Sequence, residues 1–378
     1  MTAAPGGPVP PTASGPSKLP SAPASARGKA VLMAQTLAVG GTGGAIFAYL
    51  GTPLPWMLGA LFATMIASMS GIHLYIHQMF RRLWLIVLGV TLGSSFTPEV
   101  LDNLHLWVVS FAGMCVFVVF GTWLSYQIFV RLGHIDRVTA FFCASPGGLG
   151  EMIILGPALG GNERTIVLIH ATRVMLVMAI IPPAYSLLAG YVPPANLGGS
   201  GFFWELQASD LGLMAVAGTI GAAVAKVLRI PAWQMIGPML ASAAVHAGGW
   251  TEARPPSDFI AIAQLVVGSG AGSRFSGIRL HELARPMAIS GMATVCLLLL
   301  AAGAAVTVAE WTGLDFRAIH LAYAPGGFAE MSLIALTLGI EVPFVSLHHL
   351  GRMIIVVTGA TAVASWAKRK KKITGSRV

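Results

Sequence analysis

Twelve apolar stretches, nearly free of internal charge, constrain this chain more than any other feature. They lie at roughly 30–50, 55–72, 83–98, 105–130, 139–159, 164–189, 211–228, 231–248, 259–275, 286–309, 318–339 and 343–366. A helix that crosses the hydrocarbon core of a bilayer needs about 20 such residues. Charged residues make up only 10% of the chain, against about 25% in a soluble domain. That deficit excludes a soluble enzyme and a disordered protein. The 23 Lys and Arg residues against 14 Asp and Glu do not indicate a nucleic-acid binder. They gather at the ends of apolar stretches, where they act as membrane topology signals. The class expected is an all-α polytopic membrane protein, with the lipid bilayer as its main partner.

The flanks are of another kind. Residues 1–28 hold seven prolines before Ala24 and little apolar surface, so a disordered tail is expected there. No charged region precedes an apolar run, as a signal peptide would require. Arg27 and Lys29 stand before the first apolar stretch and should keep the N-terminus cytoplasmic. At the other end, 368–378 is a basic tail opening with Lys368-Arg369-Lys370-Lys371-Lys372, also expected in the cytoplasm. Between them the chain divides into a membrane repeat at 29–190, a linker at 191–210 and a second repeat at 211–367.

The repeat is visible by direct comparison. Ser-Pro-Gly-Gly-Leu-Gly-Glu-Met from Ser145 matches Ala-Pro-Gly-Gly-Phe-Ala-Glu-Met from Ala324, at an offset of 179. At that offset His170 meets His349 and Arg173 meets Arg352. Gly89, Gly93, Ser94 and Phe96 meet Gly268, Gly272, Ser273 and Phe275. Nearer the start, Gly41-Thr42 and Gly44-Ala45 meet Gly218-Thr219 and Gly221-Ala222 at an offset of 177.

Charge placement orients the halves. With the N-terminus inside, Arg81, Arg82, Arg131 and Arg137 fall inside, and Glu99 and Asp102 fall outside. If the fifth stretch of each half crosses, Lys226, Arg229, Arg274, Arg279 and Arg285 land outside, against the positive-inside rule. If that stretch enters and returns on one side, all five land inside. Each half then has about five crossings, and the second half is inverted. Inverted repeats mark secondary transporters; the plainer alternative is duplication in a membrane protein that transports nothing.

The fifth stretch is also the one that should not be a straight helix. Pro146-Gly147-Gly148, and Pro325-Gly326-Gly327 in the second half, interrupt apolar runs. Proline removes a donor and clashes with the preceding turn. The freed backbone groups must be buried in protein or line a wet cavity, because lipid does not satisfy them. A half-helix restarting after such a break presents N–H groups that favour an anion. Two packing kinks are the plainer reading. The Gly-rich runs ending at Ser94 and Ser273 read either as close helix packing or as unwound segments beside the break.

Glu151 and Glu330 are carboxylates well inside apolar runs, each three residues past its Gly-Gly pair. An intramembrane carboxylate is costly. It reads as a proton or cation coupling group, or as a cap on its own half-helix. Arg173 and Arg352 each follow a histidine by three residues, putting His170 and His349 on the same helix faces as their arginines. A buried arginine needs a carboxylate, a carbonyl or an anion. It therefore reads either as a brace, for example to the glutamate, or as an anchor for a substrate carboxylate. His73 and His77 have an i, i+4 spacing but no carboxylate nearby, and read as interfacial residues rather than metal ligands. Cys115, Cys143 and Cys296 have no zinc or disulfide spacing. Neither a metal nor another cofactor is expected, and no nucleophile or phosphate-loop motif supports an enzyme.

The twin Pro-Gly-Gly-x-x-Glu-Met motifs, with Glu163–Val177 and Ser346–Val356 downstream, resemble the bacterial AbrB-type membrane protein family. This is not the small DNA-binding regulator of the same name. The resemblance spans about 30–366. Members carry labels such as ammonia monooxygenase and regulator of gene expression, and the family is similar to the cation–proton antiporter and anion transporter group. It implies inverted five-helix repeats, each with a broken or re-entrant element. The function expected is inner-membrane secondary transport of a small solute, an anion among the candidates, driven by H⁺ or Na⁺. A membrane-embedded regulator is the alternative and a membrane monooxygenase a third. A homodimer is one expected assembly.

Overall fold

The structure is a computed structural model that describes residues 25–98, 104–188, 206–276 and 280–375. Among them the chain forms fourteen α-helices. The first seven are α1 (Ala26–Tyr49), α2 (Pro55–Met69), α3 (Gln78–Gly93), α4 (Leu104–Gln127), α5 (Arg137–Ala144), α6 (Leu149–Ala158) and α7 (Glu163–Leu188). The next seven are α8 (Ala208–Val227), α9 (Trp233–Ala247), α10 (Ser257–Gly272), α11 (Leu280–Thr312), α12 (Phe316–Tyr323), α13 (Phe328–Thr337) and α14 (Val342–Gly375). Each interrupted stretch contributes two short helices, so twelve apolar stretches become fourteen helices.

The boundaries follow local chemistry. Ser25 caps α1 by accepting the Gly28 N–H at 3.1 Å, so helix begins inside the stretch expected to be tail. Residues 1–24 of that tail lie outside the described residues, as do 189–205 of the linker and its approach. At the other end α14 runs on through the basic segment to Gly375.

Among the described residues six helices are long and apolar enough to cross a membrane, within α1, α4 and the turn after it, α7, α8, α11 and α14. Val108, Val116 and Val119 on α4, and Val295, Leu299 and Val306 on α11, are exposed. Water would penalise such faces and lipid does not. The protein is an all-helical membrane protein. The helices α2, α3, α9 and α10 have only 15–16 residues, or about 23 Å at the α-helical rise.

Those four short helices exchange partners between the halves. The α3 helix packs on α9, and α10 packs on α2. Glycine makes the approach close enough. A methyl group on Gly89 or Gly93 would strike the Met235 or Met239 carbonyl, and one on Gly268 or Gly272 the Met57 or Leu61 carbonyl. The Gly-rich runs are therefore packing surfaces on continuous helices, not unwound segments. A hydrogen bond follows the same exchange: Ser242 Oγ donates to the Val90 carbonyl at 2.8 Å.

Packing also corrects the register of the first helices. Gly43 packs on Gly59, and Gly221 on Gly237. Gly40 faces α10, and Gly218 faces α3. Gly40 and Gly43 thus correspond to Gly218 and Gly221 at an offset of 178. The Gly-Thr identity at 177 pairs residues with different neighbours, because in a glycine-rich helix identity is cheap and packing role is not.

Backbone conformation repeats as well. Left-handed residues occur in pairs: Gly51 and Arg229, Leu54 and Ala232, Gly71 and Gly249, His134 and Gly313, Gly160 and Gly339. Three of these pairs include a non-glycine residue, for which that conformation is unfavourable. Gly147 at φ 126° and Gly148 at φ 63° are different. Among the described residues neither has a left-handed counterpart, since Gly327 lies at φ −78°.

Candidate functional site

Each interrupted stretch starts from an aspartate cap. Asp136 accepts the Thr139 N–H at 2.9 Å, and Asp315 the Arg317 N–H at 2.9 Å. The helices α5 and α12 run for 8 residues each and stop before Pro146 and Pro325. Helices α6 and α13, of 10 residues each, then restart past the glycines. In the first half the two ends of the interrupted stretch touch: the Asn162 N–H donates to Thr139 Oγ1 at 2.8 Å. Helices in line would hold these residues about 30 Å apart. In the second half Asp315, before α12, acts on Glu341, after α13. Burial, with the Asp315 charge added, holds the Glu341 carboxyl above its usual range.

The stopped helices leave C-terminal carbonyls in the protein interior, and the two arginines take them. Arg173 donates to the Cys143 carbonyl at 3.2 Å and the Ser145 carbonyl at 2.9 Å. Arg352 donates to the Tyr323, Ala324 and Gly326 carbonyls at 3.3, 2.5 and 2.6 Å. Each guanidinium also donates to its histidine, His170 Nδ1 at 2.6 Å and His349 Nδ1 at 2.7 Å. The far nitrogens face carbonyls, Phe142 at 2.9 Å for His170 and Leu321 at 3.0 Å for His349. With Nδ1 accepting and Nε2 donating, both rings are neutral. This is one device built twice: a His-Arg pair on α7 or α14 that ties down the end of α5 or α12 without a carboxylate.

The glutamates lie elsewhere. A methyl group on Gly327 would meet the Glu330 carboxylate, and one on Gly148 would lie 3.4 Å from Glu151 Oε2. Both carboxylates thus fold back over the first turn of their own half-helix, where the dipole favours them. Glu330 is buried and Glu151 half-buried. The charge of Glu330 acts on Arg274, beyond the end of α10. Arg274 was legible only as a topology charge, because Ser95 stands at the repeated position and no pair drew attention to it. Tyr323 was also missed; its hydroxyl donates to the Ser110 carbonyl at 2.5 Å and ties α12 to α4.

The remaining residues are local. Ser94 Oγ donates to the Thr91 carbonyl at 2.8 Å, and Ser273 Oγ to the Gly270 carbonyl at 3.1 Å, so both close helix ends. His73 lies in the loop before α3, and His77 caps that helix by accepting the Met79 N–H at 3.2 Å. Their i, i+4 spacing therefore falls off any helix. Among the described residues no three of His, Cys, Asp and Glu converge as a metal site.

The two interruptions differ in access. Pro146 and Pro325 are both buried and Gly148 and Gly327 both half-buried, but Gly147 is half-buried where Gly326 is buried, and Gly150 is exposed where Ala329 is half-buried. Helix α6 packs against α14, and α13 against α7, so each restarted helix reaches the arginine-bearing helix of the other half.

The sequence model of the family described as "Transition state regulatory protein AbrB" matches residues 56–368. The chain is 28% identical over 346 residues to "Uncharacterized protein YhjN" of Bacillus subtilis (strain 168), covering 85% of this chain and 89% of that protein. It is 24% identical over 324 residues to "Putative regulator AbrB" of Escherichia coli (strain K12), covering 82% and 89%.

Proposed function

Because the chain belongs to the AbrB family and is a multi-pass helical membrane protein, we propose that it is an inner-membrane secondary transporter of a small solute, coupled to H⁺ or Na⁺. The observation that carries this reading is the pair of helix interruptions at equivalent places, each braced by a His-Arg pair. Interrupted helices in corresponding positions of two halves are the usual place for a transport site. The Asn162–Thr139 contact supports a re-entrant hairpin in the first half, and the matching Asp cap, break and restarted helix favour the same course in the second. Ten crossings then remain, five per half, and an odd number makes the repeats inverted. That topology leaves both termini in the cytoplasm. The backbone repeats at five left-handed pairs yet differs at Gly147 and Gly148, and access differs between the two breaks. Both differences fit a protein whose halves exchange conformations to open first one side and then the other.

In this reading Pro146, Gly147 and Gly148, with Pro325, Gly326 and Gly327, shape the site. Arg173 and Arg352 hold it open, His170 and His349 orient them, and Glu151 and Glu330 couple the ion. No enzymatic step is assigned. The test is gradient-driven flux in proteoliposomes, with melting measured in parallel. Wild-type protein is expected to take up solute when an H⁺ or Na⁺ gradient is imposed. Glu151→Gln and Glu330→Gln keep an acceptor but lose the charge and the titratable proton. They should melt within about 1 kcal/mol of wild type, as cap-preserving changes do, and lose gradient-driven uptake. Wild-type flux in both variants would reduce the two glutamates to caps. The name of the Escherichia coli relative favours a second reading, a membrane-embedded regulator, and wild-type protein that folds but moves no solute would support it.

A further inference from the structure

His246 stands at the end of α9 with a main-chain carbonyl at each ring nitrogen. Nδ1 lies 2.8 Å from the Ser242 carbonyl, one turn back, and Nε2 lies 2.9 Å from the Ala253 carbonyl in the loop that leads to α10. Among the described histidines it alone has this arrangement. His170 and His349 each meet one carbonyl and one arginine donor, and His348 meets one carbonyl. A carbonyl oxygen only accepts, and a neutral imidazole has a single N–H.

The neighbouring serine completes the count. Ser242 Oγ lies 2.8 Å from the Val90 carbonyl of α3 and 3.3 Å from His246 Nδ1, and a hydroxyl has one proton to give. Ser242, His246 and Ala253 thus make three short contacts to carbonyl oxygens, and each contact needs a proton. An imidazolium and the hydroxyl supply three. A neutral ring and the hydroxyl supply two, and the contact left without one sets lone pair against lone pair. The loop is the end that yields. Val90 and Ser242 are buried, whereas Ala253 is half-buried between exposed Glu252 and Arg254, so its carbonyl is the one that water can take over.

The surroundings suit a cation. The Ala253 N–H donates to Thr251 Oγ1 at 3.1 Å, and Thr251 Oγ1 donates to Asp210 of α8 at 2.8 Å. Glu252 and Arg254 lie in the loop, Asp258 is in the first turn of α10, and residues 86–95 of α3 carry no charge. Three acids against one base leave the neighbourhood negative, and a helix C-terminus favours a positive charge. The first half has no such device. Thr64 and Ser68 stand there at the offset of 178, and Thr64 Oγ1 donates within its own helix, to the Ala60 carbonyl at 2.6 Å.

We infer that His246 is a proton-operated latch: protonated, it ties the α9–α10 loop to α9 while Ser242 stays bonded to α3, and deprotonated, it releases the loop. The inference goes beyond the transport reading and does not depend on it. Under the inverted topology the loop lies outside, so the latch responds to external acidity.

The test uses the purified full-length chain between about pH 5 and 8, the interval in which histidine charge changes. Amide exchange of residues 248–256 is followed by mass spectrometry and corrected for the intrinsic effect of pH. In wild type the corrected rate should rise at least about tenfold from pH 5 to pH 8, the equivalent of one net hydrogen bond. His246→Gln keeps a donor but does not titrate, and its corrected rate should be nearly the same at both ends. Melting has a defined sign as well. The bonds need the second proton only in the folded chain, so folding takes one up and their stabilisation is lost as pH rises. The Tm advantage of wild type over His246→Gln should therefore be largest at pH 5 and close by pH 8. Thr251→Val cuts the tie to Asp210 and should speed loop exchange at every pH while keeping the wild-type ratio. A corrected wild-type rate that does not change with pH would overturn the latch, with or without a folded variant. So would the same rise in His246→Gln, or a ratio lost in Thr251→Val, which would place the switch at Asp210. None of these measurements involves a solute or a gradient, so the latch and the transport reading stand or fall separately.

Discussion

A glycine in this protein is decided by what its missing side chain would touch. On α9, a methyl group on Gly237 would strike the Gly221 carbonyl of α8. Backbone does not yield as a side-chain tip does, so Gly237→Val must push two helices apart. Such overpacking costs about 1–3 kcal/mol. On α11, nothing lies within 4 Å of a methyl group on Gly303. Gly303→Ala there should stabilise by about 0.5–1 kcal/mol, through helix propensity alone. Melting of the two variants side by side checks both signs. Similar losses in both would mean that the glycines serve general flexibility rather than close approach. The repeat comparison found Gly221 but aligned it with Gly44 instead of Gly43. One residue of slip along a helix is about 100° of rotation, and only the facing helix tells which glycine faces it.

At the scale of elements, the Pro-Gly-Gly breaks were legible in the motif itself, and the return of each stretch was legible only indirectly, from where the basic residues fall. Proline and paired glycine dictate that a helix stops. They do not say whether the next helix goes on or turns back. The contact that bears on this is Asn162 with Thr139, 23 positions apart in sequence. Thr139→Cys with Asn162→Cys should therefore form a disulfide on mild oxidation, detected by mass and by proteolytic mapping. Ends on opposite membrane faces would never cross-link, and failure of well-folded protein to do so would remove the hairpin. The arginine braces follow from the same turn. A helix that stops in the interior leaves carbonyls unpaired, and a guanidinium on the neighbouring helix is the side chain with enough donors to take several of them. The expectation that an arginine must find a partner was sound. That the partners are main-chain carbonyls depended on where α5 and α12 end.

For the whole molecule the exchange of α3 and α10 matters most. Neither half is complete alone, because each lends its third helix to the first two helices of the other. The two His-Arg braces likewise stand on helices reached by the other half's restarted helix. Under the inverted reading, equivalent loops face opposite sides of the membrane. Cysteines replacing His134 and Gly313, both exposed and both left-handed, should then label with an impermeant maleimide from opposite faces. His134 shows that a side chain tolerates that conformation. Labelling from one face would leave a parallel duplication. It would also return Lys226, Arg229 and Arg274 to the side that the positive-inside rule disfavours.

Sequence alone determined the properties that depend on local composition. Apolar length and scarce charge dictated helices in a bilayer, since lipid satisfies no backbone group. The matched Pro-Gly-Gly, Glu and His-x-x-Arg positions dictated that the chain is duplicated and interrupted twice. Tertiary structure alone decided which groups meet. Ser95 and Arg274 occupy the same place in the repeat, yet only Arg274 carries a charge that feels a buried glutamate. Gly147 and Gly326 are the same residue in the same motif, yet only Gly147 is left-handed and open beside an arginine of the other half. The physical reason is that a side chain's burial and partners are set by residues far away along the chain, on helices that local pattern cannot place against one another.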